Sequence, residues 1–137
     1  MKYVLDTNAV SALMKGDATV LERMKRVARS DVALPQPVIA EIAYGIERLP
    51  KSKRREALAS RFELLKTELQ RAAWSDDVSD AYGEIKAALE RKGERIEDFD
   101  IAIAAHAVAA GSVLVTANVK HMLRVAGLDV EDWSRGA

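Results

Sequence analysis

The sequence predicts an α/β fold built on a central, mainly parallel β-sheet flanked by helices, and three observations lead there. Tyr3-Val4-Leu5 and Val113-Leu114-Val115-Thr116 are short apolar runs without polar alternation, as in strands buried on both faces. The segments between them carry apolar residues at helical spacing. Glycine or proline closes several of those segments, at Gly16, Pro50, Gly93 and Gly111. A length of 137 residues suits one compact domain spanning 1–137.

The first strand stops on Asp6, at the edge where parallel sheets bind ligands. A structural role is equally open there, with Asp6 starting a turn and Asn8 capping a helix that runs to about Met14. Val20, Leu21, Met24, Val27 and Ala28 predict a second helix over 18–29, and Asp31 to Leu34 a second strand. Pro37 suits the first position of the next helix. In it Val38, Ile42, Ile46 and Leu49 form one stripe, and Glu41 projects roughly 60° from the stripe's edge, at 100° per residue.

After Pro50 a long helix is expected from the basic run Lys51-Ser52-Lys53-Arg54-Arg55 to about Arg71, burying Ala57, Leu58, Phe62, Leu65 and Leu69. The run is either a solvated helix start or a contact with phosphates. Ala72-Ala73-Trp74 is expected as a minimal third strand, followed by a helix over 77–92. Asp98 and Asp100 introduce an alanine-rich helix over 101–110, which contains His106. If the strand at 113–116 runs parallel to the first, that helix runs antiparallel to both, and its start returns to the edge that carries Asp6. A short helix over 120–124, a closing strand over 128–130 and Trp133 as a packing group complete the chain.

Composition narrows the function without naming it. The 21 basic and 21 acidic residues cancel, so a nucleic-acid partner would have to be met by local clusters. The absence of cysteine excludes disulfides, thiolate metal sites and a cysteine nucleophile, and it is compatible with a reducing cytoplasm. No secretory signal is evident, and the apolar window 101–115 is too short to span a membrane, so a cytoplasmic protein is expected.

Asp6, Glu41, Asp98 or Asp100, and Asn118 are thereby expected at one edge of one sheet. Two carboxylates about 4 Å apart repel by about 4 kcal/mol at an effective dielectric of 20, so gathered acids take up protons or recruit a cation. Oxygen donors without cysteine favour Mg²⁺ or Mn²⁺, ions used in chemistry on phosphates. Singly, each residue has an ordinary explanation: Asp98 and Asp100 complement a helix start, Glu41 is a surface acid, and Asn118 is a turn residue. His106 is expected to pack, whereas His121 lies nearer the edge.

Five motifs in order resemble PIN-domain proteins, specifically VapC-type toxins: Asp-Thr-Asn at 6–8, Glu41 with Tyr44-Gly45, Asp100 with Ile-Ala-Ile-Ala-Ala-His-Ala, Val115-Thr-Ala-Asn118 with His121, and Gly127-Leu128 before Glu131-Asp132-Trp133. The resemblance implies a PIN-like three-layer fold and a Mg²⁺- or Mn²⁺-dependent endoribonuclease. It also implies a homodimer and a VapB-type antitoxin, whose C-terminal segment lies in a groove near the active site and which alone contacts DNA. Position by position, Asp6, Glu41 and Asp100 match the family's metal-binding acids, and Asn118 stands where many members have a fourth acid. Thr7 would orient Asp6 or touch the metal shell. Asn8, Lys120 and His121 are further candidates for touching substrate or supporting the site, and Lys51 to Arg55, Lys120 and Arg124 for gripping RNA. The implied chemistry is hydrolysis of an RNA phosphodiester to a 5′-phosphate and a 3′-hydroxyl. Two other readings stand beside it: a binding module without chemistry, and phosphotransfer on Asp6, which Asn8 disfavours because such sites use a second acid.

Overall fold

The computed structural model describes residues 1–135. Five short strands, β1 (Tyr3–Leu5), β2 (Val32–Pro35), β3 (Gln70–Ala72), β4 (Val113–Val115) and β5 (Asp129–Glu131), form one sheet in the order β3-β2-β1-β4-β5. Every neighbouring pair is parallel. Seven helices flank it: α1 (Thr7–Met14), α2 (Ala18–Lys25), α3 (Gln36–Glu47), α4 (Lys53–Glu68), α5 (Asp76–Lys92), α6 (Asp98–Ala110) and α7 (Val119–Met122). The result is a three-layer α/β arrangement, as the apolar runs and helical stripes predict.

The order of strands positions the site. From β1 the chain builds outward through β2 to β3, then returns to the other side of β1 to lay down β4 and β5. Direction of growth reverses between β1 and β4, and at such a switch the connections leave on opposite sides and open a crevice at the strands' carboxyl ends. The two strands flanking that crevice carry the apolar runs, with Val4, Leu5, Leu114 and Val115 fully buried. The register pairs Leu5 with Val115. Asp6 and Thr116, the next residue on each strand, therefore emerge side by side.

Local rules account for most helix ends. Ser52 and Ser75 cap α4 and α5 by accepting the backbone N–H of Arg55 and Val78. Gly93 and Gly111 end α5 and α6 in the left-handed region, at φ of 69° and 63°, where a Cβ would be strained. The alanines of α6 let it lie close on the sheet, and Ile101 to Ala107 are all buried.

Several boundaries depart from expectation. The second helix stops at Lys25 rather than 29, and Arg29–Asp31 forms a 3₁₀ turn that delivers the chain to β2. The long helix stops at Glu68, and β3 takes Gln70–Ala72 instead of 72–74, because residues 70 to 72 pair with Ala33, Leu34 and Pro35 of β2. Ala57 faces solvent; Leu58 and Phe62 supply the buried stripe, with Leu69 as the closing residue. The short final helix is Val119–Met122 and the closing strand Asp129–Glu131. Trp133 is buried as expected, edge-on to Tyr3 at 5.3 Å between ring centroids.

Leu114 lies at the centre of β4 with no exposure, whereas Leu64 of α4 is 58% exposed. Leu114→Ala should cost about 2–5 kcal/mol through lost burial and the cavity left behind. Leu64→Ala should stay within about 0.5 kcal/mol of the parent. Urea unfolding of the two variants checks both values.

Candidate active site

Asp6 is a charged side chain only 3% exposed at the end of a buried strand, and its surroundings explain how it is tolerated there. Its Oδ1 accepts the backbone N–H of Thr7 at 2.7 Å, which makes Asp6, not Asn8, the cap of α1. Its Oδ2 accepts the Thr116 hydroxyl at 2.8 Å and the Asn8 amide at 3.3 Å. A carboxylate offers roughly four lone-pair sites, so three donors leave about one free. Asn8 turns inward instead of capping: its amide also donates to Thr116 Oγ1 at 3.2 Å, and its carbonyl accepts the Ala117 N–H at 2.9 Å.

Glu41 reaches the same edge from the second turn of α3. The Thr7 hydroxyl donates to its Oε1 at 2.5 Å, so Thr7 joins two acids, Asp6 through its backbone and Glu41 through its side chain. Asp100 arrives from the first turn of α6. Burial pushes its carboxyl up to about 6, the charges of Asp6, Glu41 and Glu97 add to the rise, and His121 opposes it. Burial likewise raises the Asp6 carboxyl, against the hydrogen bonds from Thr116, Thr7 and Asn8, and Glu41 raises it further. Asp98 is turned elsewhere and pairs with Lys86 of α5 at 3.1 Å. Residues two apart on a helix face different ways, and the structure places Asp100 in the site.

Among the described residues no Lys or Arg pairs with Asp6, Glu41 or Asp100. Nor do any three acidic or histidine side chains there stand close enough to make a closed metal cage. The donors nevertheless fit a hard cation. Mg²⁺ keeps several of its waters and takes one or two carboxylates together with substrate oxygens, and Asp6 and Asp100 offer carboxylates whose charged form burial disfavours.

Asn118 follows β4, and its N–H donates to Thr116 Oγ1 at 2.9 Å. Its side-chain oxygen lies 2.6 Å from Nδ1 of His121, which is exposed on α7. Thr116 is the residue whose role sequence reasoning missed. It is buried and joins Asp6, Asn8 and Asn118, and its only local signal was a hydroxyl immediately after an apolar strand. His106 packs as expected: its Nδ1–H donates to the Ala102 carbonyl at 2.7 Å, it meets Trp74 edge-on, and burial lowers its pKa.

Beside Glu41 and Thr7 a groove of about 270 Å³ opens between α1, α3 and α4. Met14, Ile42, Ile46, Leu49 and Leu58 give it an apolar lining, and Lys15, Arg48 and Arg54 add positive charge. The basic run at 51–55 is thus divided. Arg54 lines the groove, while Arg55 is held by Glu47 at 3.0 Å and the Leu49 carbonyl at 3.3 Å. Lys120 is exposed, and Arg124 is bound to the carbonyl of Arg95 at 3.1 Å.

The family model for the PIN domain matches residues 3–128. Ribonuclease VapC2 of Rickettsia felis is 34% identical over 137 residues, covering 98% of this chain and all of the relative. The tRNA(fMet)-specific endonuclease VapC of Salmonella typhimurium is 30% identical over 97% of this chain and 98% of its own. Among solved structures, that of VapBC2 from Rickettsia felis bound to a DNA fragment from its promoter superposes with a TM-score of 0.87 at 31% identity, covering 97% of this chain and 99% of the other. DNA-bound VapBC from Salmonella typhimurium gives 0.87 at 29% identity, over 97% and 98%.

The raised Asp100 carboxyl has a consequence for stability. Its folded-state pKa of about 6 lies above the ordinary carboxyl value of 3.8, so the folded chain holds the extra proton and gains stability as pH falls from 6 toward 3.8. At neutral pH the charge costs stability, on the order of 1 kcal/mol once screening of this half-exposed group is allowed for. In chelator, Asp100→Asn should therefore melt a few degrees above the parent at pH 7.5, with the difference gone near pH 4. Thermal melts across that range check the sign.

Proposed function

We propose that this chain, which belongs to the PIN-domain family, is a metal-dependent endoribonuclease toxin of a VapBC-type toxin–antitoxin system. The observation that carries the proposal is a set of three acids, Asp6, Glu41 and Asp100, brought by separate elements to the switch-point edge with no Lys or Arg among the described residues paired to them. Relatives matched along nearly their whole length are named ribonucleases or endonucleases, which gives the acids a reaction.

Asp6, Glu41 and Asp100 would hold the Mg²⁺ or Mn²⁺. When bound there, the cation supplies charge neutralisation for a phosphodiester and a lower pKa for water. The chain itself supplies fixed geometry. Thr116, Thr7 and Asn8 fix Asp6 through three hydrogen bonds, and Thr7 holds Glu41 beside it. The lining cations Lys15, Arg48 and Arg54 stand where an RNA backbone can approach Glu41. The product ends are a 5′-phosphate and a 3′-hydroxyl.

The partner is a VapB-type antitoxin. Solved relatives are toxin–antitoxin complexes, some carrying DNA, and the apolar groove beside Glu41 suits a short amphipathic segment of such a partner. DNA is then reached through the antitoxin, and the toxin is a homodimer.

Antitoxin-free protein should cut total cellular RNA, tRNA included, into discrete fragments with Mg²⁺ or Mn²⁺ and none with chelator. Asp6→Ala or Asp100→Ala should lower the rate at least about 100-fold while far-ultraviolet circular dichroism keeps the parent spectrum. Undiminished cleavage by either folded variant would remove the assignment. Cleavage by no form of the protein, with nucleic acid still bound, would favour a binding module.

Introducing a charge into the groove provides a separate check on the partner. Leu49→Glu should weaken co-purification with the co-expressed antitoxin by more than about tenfold and leave RNA cleavage by the free toxin within about threefold. Loss of cleavage with intact antitoxin binding would contradict the groove assignment.

A further inference from the structure

An unbroken line of hydrogen bonds runs from the buried acid to an exposed imidazole. The Thr116 hydroxyl donates to Asp6 at 2.8 Å, Thr116 Oγ1 accepts the N–H of Asn118 at 2.9 Å, and Asn118 Oδ1 faces His121 Nδ1 at 2.6 Å. An amide oxygen only accepts, so the ring's Nδ1 carries the proton in this contact and Nε2 is left free on the opposite side. A base or acid oriented through its second nitrogen by a hydrogen-bond acceptor is the arrangement that proton-transfer catalysis uses.

An acid of the neighbouring helix acts on the ring. Asp100 of α6 is the acid whose charge interacts with it. Of the groups on α7 and just beyond, Lys120 points to solvent and Arg124 is bound to the Arg95 carbonyl. On β5, against which α7 packs, Asp129 is exposed and Glu131 is committed to Arg23 and Trp133, each at 3.0 Å. His121 itself is exposed, so solvent can recharge it.

We propose that His121 is the proton donor to the leaving 3′-oxygen of the RNA, and that Asn118 is its positioning residue. This rests on the ribonuclease reading above. As water oxygen bonds to phosphorus, the P–O3′ bond breaks and its electron pair passes to O3′, which takes the proton from Nε2 of the imidazolium. The water's proton leaves to solvent, and a solvent proton later restores Nε2. What remains after transfer is the neutral ring protonated on Nδ1, the tautomer that Asn118 stabilises. A neutral amide at this position thus serves proton transfer, where a fourth acid would add charge to the cation site.

The test uses the full antitoxin-free chain with Mn²⁺ and a short single-stranded RNA, comparing parent, His121→Gln, Asn118→Ala and Asn118→Asp across pH. His121→Gln should lower kcat by about 100-fold, within the range for a general acid, with KM within about threefold. It should also lose the alkaline limb of the parent's profile. Asn118→Ala should fall in the same direction but less, and Asn118→Asp should retain activity and move the alkaline limb to higher pH, because a carboxylate holds the imidazolium more strongly. RNA with sulfur in place of the bridging 3′-oxygen leaves as a thiolate that needs no proton, so parent and His121→Gln should cut it at similar rates. A change confined to KM, an alkaline limb unchanged in His121→Gln, or no recovery on the sulfur substrate would each overturn the proton donor while leaving the nuclease intact. Failure of the parent to cut any RNA would overturn the nuclease reading and the proton donor together. Imidazole nitrogen spectra, to which only His106 and His121 contribute, give a readout without turnover. Protonation on Nδ1 of His121 in the parent and its loss in Asn118→Ala is the expected result, and protonation on Nε2 in the parent overturns the proposal.

Discussion

The hydrogen bond from Thr116 to Asp6 is the contact on which the site depends, and the pairing of β1 with β4 makes it available. Leu5 and Val115 are in register, so the next residue of each strand emerges at the same height on the sheet edge. A slip of one residue would turn Thr116 to the other face and leave a carboxylate buried with one fewer donor. A hydrogen bond to a charged group contributes about 1.5–3 kcal/mol, and an unmet buried charge costs more than that. The register is therefore held from both sides, by apolar burial along the strands and by a polar network at their ends.

That network also distributes charge in a particular way. The chain is neutral as a whole, with 21 residues of each sign, yet none of the ion pairs among the described residues takes in Asp6, Glu41 or Asp100: Arg23 pairs with Glu131, Arg29 with Glu68, Arg55 with Glu47 and Lys86 with Asp98. These exposed or half-exposed pairs contribute little to stability. Asp98 is one of these paired acids, while Asp100, two residues on, is the one whose carboxyl feels the charges of Asp6 and Glu41. Asp6, Glu41 and Asp100 thus face one another without an ion-pair partner among the described residues.

Two features sit on opposite sides of the acids. The groove between α1, α3 and α4 opens beside Glu41, and the Asn118–His121 pair stands beyond Thr116 on the β4 side. Thr7 ties the first to Asp6 and Thr116 ties the second to it, each through a side-chain hydroxyl. A partner segment in the groove would meet Glu41 and Thr7 without touching the imidazole side. The groove and the imidazole thus have separate structural supports around one carboxylate.

The fold class was legible in the chain because it rests on local pattern, whereas residue pattern left Asp98 and Asp100 open and the family resemblance pointed to Asp100. Uninterrupted apolar runs at 3–5 and 113–115 mark buried strands, helical stripes mark the layers, and Gly93 and Gly111 end helices where a left-handed residue is needed. Weak local signals failed where pairing decided the outcome. The polar segment Gln70–Ala72 becomes a strand because β2 offers an edge to it, and the helix expected through Arg29 yields to the 3₁₀ turn that feeds β2. The site's connections were beyond reach for the same reason. Asp6 and Thr116 are 110 residues apart, Thr7 and Glu41 are 34 apart, and no periodicity records which hydroxyl meets which carboxylate. By itself the sequence determined which elements form and which chemical groups stand at their ends, because those follow from neighbours along the chain. The tertiary structure alone decided that Thr116 secures Asp6, that Asp98 is diverted to Lys86, and that Asn118 turns the His121 ring, because those follow from strand register and helix placement across the sheet.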